Sequence, residues 1–254
     1  MNSFRNTPTS AYYPKNIDEL NTPQYIHYLM LLSKVENGEL THSGFKEEWK
    51  NYLLKPYGDS FDAQKSIPGF QGFFRHTNQE EEQVDTFSVK NKLTQYTWKN
   101  RIFKGPQDMG YDLSFGTFLS ACFVFKDYSL SPNPEALKYL FAILYSDGSP
   151  LTERVAHLSD MPQYVALSAF YFFKSVVQNI ATSPIYYEGE ELPLYEIFED
   201  TSGNCGGYIP SRELLLFDMA NEGHEHPQNI EELKSRNFYE VLSEIWYSSK
   251  VQTA

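Results

Sequence analysis

Cysteine is nearly absent: the chain carries two, Cys122 and Cys205. Two thiols allow at most one disulfide, so no cross-linked framework carries the fold. Cys122 lies in an apolar run, where a free cysteine is usually a small buried hydrophobe. A reducing compartment is therefore expected. Long apolar runs are missing too. The greasiest stretch, Tyr164 to Ile180, is broken by Ser168, Lys174, Ser175 and Gln178, which makes it too polar for a membrane span. Met1 to Ser10 is polar and lacks the apolar core of a secretory leader. Positive charge is also scarce: 21 Lys plus Arg stand against 33 Asp plus Glu, a formal charge of -12. A nucleic-acid binder needs a basic stripe to displace counterions from phosphates. The scattered Lys99, Arg101 and Lys104 do not make one. Neither a membrane nor a specific nucleic acid is an expected partner.

What the chain has in excess is rings. Nineteen Tyr and nineteen Phe help bring the aromatic share to 16%. Aromatic side chains offer large contact area at modest entropy cost, and they concentrate at interfaces. A Phe-rich core edged by Tyr accounts for most of them and leaves a minority for a partner. With 254 residues the chain is long enough to bury its own core.

The pattern along the chain predicts a mainly α fold. One helical-bundle-like body carries an N-terminal arm, a helical hairpin and a long irregular or small-β insertion. Residues 1–16 read as an extended arm in which Tyr12, Tyr13 and Pro14 would be wasted in water. Residues 17–56 read as the hairpin. Asn21 or Thr22 caps its first helix and Pro23 starts it. Ser43 opens the second, with Phe45, Trp49, Tyr52 and Leu53 as its stripe. Residues 57–110 read as the insertion, with a short strand suggested at Phe87 and Val89. Residues 111–248 read as the main core. Ser114 caps a helix there, Pro134 to Leu144 forms another, and Asp160 caps a long central helix through Ile180. Leu151 to Ser159 reads as a short link, Leu194 to Phe198 as a short helix in a loop-rich stretch, and Arg212 to Glu222 as a helix. A stripe from Phe238 to Trp246 closes the body, and 249–254 is a tail.

Candidate chemistry is thin. His224 and His226, with Glu222 and Glu225 nearby, are the best metal ligands, but zinc wants three or four donors and no partner site stands out. The HExxH spacing is absent. Cys122 with His157 is a formal nucleophile and base. Gly203 to Gly207 lacks the Lys-Ser/Thr of a phosphate loop. The acid pairs Asp108 with Asp112 and Glu190 with Glu191 are what a chain this acidic produces anyway. The sequence thus assigns no catalytic, cofactor or metal residue, no small-molecule substrate and no enzymatic role. What remains is surface. Phe70, Phe73 and Phe74 beside Pro68 and Gly69 are either tucked into the core or buried in another subunit. Tyr186 and Tyr187 invite the same argument. With Tyr12 and Tyr13, these are the candidate interface residues.

Three stretches carry a resemblance. Ile17-Asp-Glu-Leu20 with Gln24-Tyr25 is followed by Asn37-Gly-Glu39 and by Trp49-x-x-Tyr-Leu-Leu54. Asp112-Leu-Ser-Phe-Gly-Thr-Phe118 precedes Leu137-Lys-Tyr-Leu-Phe-Ala-Ile-Leu-Tyr145, and Asp160-Met-Pro-x-x-Val-Ala-Leu167 comes next. Together, over about half the chain, this resembles uncharacterised neck- and tail-associated proteins of tailed phages and prophages of Bacteroidetes. The long stretch from Asp59 to Gly110 departs from that scheme. The resemblance implies a structural virion subunit, a neck ring or tail connector assembled in the bacterial cytoplasm. Its partners would be further copies of itself and other virion or assembly proteins. A transient head–tail or tail assembly chaperone is the alternative, and a metal-dependent hydrolase using His224 and His226 a third reading.

Overall fold

A computed structural model describes residues 13–55, 70–76, 82–197 and 230–252. Tyr12, Cys205, the Arg212 to Glu222 stripe and the His224–His226 run lie outside the described residues. The fold is mainly helical, with three small two-stranded antiparallel sheets among the described residues. The chain divides into two compact units, Met1–Thr86 and Phe87–Ala254. That division falls inside the stretch read from sequence as a single insertion. No helix among the described residues is long and apolar enough to cross a membrane.

The first unit is built on helices α1 (Thr22–Glu36) and α2 (His42–Leu54). α1 starts at Asn21 for a definite reason. The Asn21 carboxamide accepts the Gln24 N–H at 3.0 Å, and the Gln24 side chain accepts the Asn21 N–H at 3.0 Å. This reciprocal cap satisfies two otherwise orphaned donors, and caps of this kind stabilise by ~1 kcal/mol. α2 is capped by Thr41 rather than by Ser43. The Thr41 hydroxyl accepts the Gly44 N–H at 3.1 Å, while Ser43 sits in the first turn and meets that hydroxyl at 3.0 Å.

α1 buries Tyr25, Tyr28, Leu29 and Leu32, and α2 buries Phe45, Trp49 and Leu53. Tyr28 stands edge-on to Phe45 at 5.1 Å and to Trp49 at 5.2 Å. A short 3-10 turn, Phe70–Phe73, then delivers Phe73 edge-on to Trp49 at 5.5 Å. It leads into strand β1 (Phe74–His76), paired with β2 (Glu82–Val84). The Tyr28 hydroxyl donates to the Asp85 carbonyl at 2.6 Å just beyond β2.

Phe73 is therefore fully buried and Phe74 nearly so, with Phe70 half-buried against both. The sequence left these three rings either to the core or to another subunit. They are used by their own unit, because two short helices cannot bury their apolar faces against each other alone. The expected arm is corrected in the same way where it is described. Tyr13 and Pro14 are buried, and the Lys15 carbonyl lies so close to Gly72 that a Cβ there has no room.

The second unit contains α3 (Phe115–Leu130), α4 (Pro134–Leu144), α5 (Leu151–His157), α6 (Gln163–Thr182), α7 (Ile230–Ser235) and α8 (Phe238–Gln252). Ser114 caps α3 by accepting the Thr117 N–H at 3.2 Å, and Asn133 caps α4 at Glu135. α8 runs on through residues expected in the tail. α6 packs against α3 and α4 and is buried without a break from Val165 to Phe173, as a central helix must be. Asp160 does not cap α6. That helix starts after Pro162, and Asp160 pairs with Lys99 at 2.7 Å instead.

No strand forms at Phe87 or Val89. The ladder lies further on, between β3 (Gln95–Trp98) and β4 (Arg101–Lys104), across a two-residue turn. Both turn residues, Lys99 and Asn100, have positive φ, which matches the twist of a tight hairpin. The irregular stretch before it is pinned by a buried amide. Asn91 donates to the Pro106 carbonyl at 2.6 Å and accepts from the Leu93 N–H at 3.0 Å and the Tyr145 hydroxyl at 3.1 Å. Gly105 lies under the Tyr145 ring, and a Cβ there would strike it.

Two outcomes follow for the first unit. Phe73→Ala is expected to cost it about 3–5 kcal/mol, the usual loss for a buried ring. Denaturant unfolding followed by far-UV dichroism should show that unit melting first; an unchanged profile would return Phe73 to the surface. His27 stacks on Tyr52 at 3.8 Å, and burial lowers its pKa below the ordinary 6.5. The unfolded chain thus protonates first as pH falls. This stability is full above pH 6.5 and is lost as pH drops through the lower folded value. Between about pH 7.5 and 5.5 the wild type should weaken more steeply than His27→Phe. Parallel pH profiles would exclude this role for His27.

Candidate functional site

Those residues that suggested chemistry and are described are occupied with structure, whereas His224 and His226 lie outside the described residues. Among the described residues no group of three His, Cys, Asp or Glu is placed to hold a metal. Cys122 is buried, and burial pushes its thiol far above the range in which a thiolate forms. His157 meets the Trp98 carbonyl at 3.2 Å. Asp108 accepts the Asn91 N–H at 2.8 Å, and Asp112 accepts the Gln107 N–H at 2.7 Å, so both members of that acid pair serve the backbone.

A surface emerges where the sequence showed only a loop. Strands β5 (Ile185–Tyr187) and β6 (Glu190–Leu192) form a hairpin closed by Glu188 and Gly189, both at positive φ. Successive side chains alternate across the ribbon. Ile185 and Leu192 pair on one face and are buried. Tyr186 and Glu191 pair on the other face, and Tyr186 is 65% exposed.

The hairpin is held by rings beneath it. Tyr111 and Tyr187 each lie within 5.4 Å of Tyr239, the second residue of α8. The Tyr111 hydroxyl donates to the Tyr186 carbonyl at 3.0 Å. Tyr239 in turn donates to the Met109 carbonyl at 2.9 Å, where Met109 takes the left-handed conformation. α8 is set in place at its start. Asn237 donates to the Tyr111 carbonyl at 2.6 Å, the Phe238 N–H to the Leu113 carbonyl at 3.2 Å, and the Phe115 N–H to the Arg236 carbonyl at 2.7 Å.

That placement brings Tyr247, 49% exposed, to the hairpin. Its hydroxyl donates to Glu190 at 3.1 Å, as the Tyr186 hydroxyl does to Glu191 at 3.0 Å. Each carboxylate raises the pKa of its phenol through that bond. Trp246 donates to Glu196 at 2.6 Å, and Lys250 pairs with the same carboxylate at 2.8 Å, which together hold it below the usual range. The acid pair Glu190 and Glu191 thus orients two exposed rings.

Of the candidate interface residues, Tyr186 is exposed and Tyr187 half-buried beside it. Tyr13, Phe73 and Phe74 are buried, and Phe70 is half-buried. Tyr247 was missed from sequence because it reads only as the end of a helix. The Glu188-Gly189 step between Ile185-Tyr-Tyr187 and Leu192 was the available hairpin signal. The arrangement presents exposed rings and carboxylates, and among the described residues no Cys or His adjoins them. Comparison with family models, curated proteins and solved structures gives no match.

Proposed function

We propose that this chain is a structural subunit that works by protein–protein contact. One observation carries the reading: two tyrosine rings, Tyr186 on the braced hairpin and Tyr247 on α8, stand exposed, each tethered by its hydroxyl to a glutamate. Rings fixed before binding lose little freedom on binding, which is the property of an interface anchor. The resemblance of its helical segments to neck- and tail-associated phage proteins supplies the context. In it the chain is a ring or connector component at the neck or tail, beside copies of itself and other virion proteins.

The test is the mass of the purified full chain by light scattering, alone and mixed with neck and tail proteins of the same particle. A defined complex is expected, and Tyr186→Ser with Tyr247→Ser should weaken it by about tenfold or more while leaving the far-UV spectrum intact. A chain that stays monomeric and takes up no partner would refute the reading. Recovery of the chain from assembly intermediates but not from mature particles would replace a structural subunit with an assembly chaperone.

A further inference from the structure

We draw no further inference here: the strongest candidate, the apolar patch that Phe123 and Leu130 leave exposed on the solvent-facing side of α3, is an unpartnered face, and nothing in the structure shows what covers it.

Discussion

The buried Asn91 carboxamide fixes a long irregular stretch against the helical body of the second unit. Buried backbone outside helices and strands must find partners one group at a time. Asn91 meets two such needs, at Pro106 and Leu93, and also accepts the Tyr145 hydroxyl; Tyr145 directly follows α4. A second pin lies close in sequence: the Ser88 N–H donates to the Ser175 hydroxyl of α6 at 2.9 Å. With residues 88–106 anchored, the Met109 turn follows, and its carbonyl receives Tyr239. Tyr239 opens α8 and forms the floor under the hairpin. The exposed rings are thus connected, bond by bond, to the core.

Much of the helical architecture was legible because helices announce themselves locally. Asn21 or Thr22 before Pro23, Ser114, and Pro134 mark starts, and continuous apolar stretches mark α6 as central. Where two local candidates competed, the sequence chose wrongly. Thr41 and Ser43 are chemically alike, and only the chain path selects Thr41. Asp160 is a good cap in isolation, but Lys99, far away in sequence, claims it.

The site was less legible because it is made by contacts between distant segments. Tyr247 reaches Glu190 of the hairpin only after Asn237 and Tyr239 have docked α8 against Tyr111 and Met109. Nor does a Phe-rich run say which way its rings face. Phe70, Phe73 and Phe74 look like Tyr186 and Tyr187 in sequence, yet the first group completes a two-helix core and Tyr186 is left in water. The difference is set by what each neighbouring element has left uncovered, and periodicity does not carry that information.

Tyr186 on the hairpin and Tyr247 on α8 are exposed rings, and the proposed subunit role requires a partner to cover them. Hydroxyl-radical footprinting of the free and assembled chain, read by mass spectrometry, tests it most directly. Tyr186 and Tyr247 should be labelled in the free chain and shielded in the assembly, while the buried Tyr28 and Tyr145 stay unlabelled in both. Equal labelling of Tyr186 and Tyr247 in the two states, with shielding elsewhere, would contradict the account.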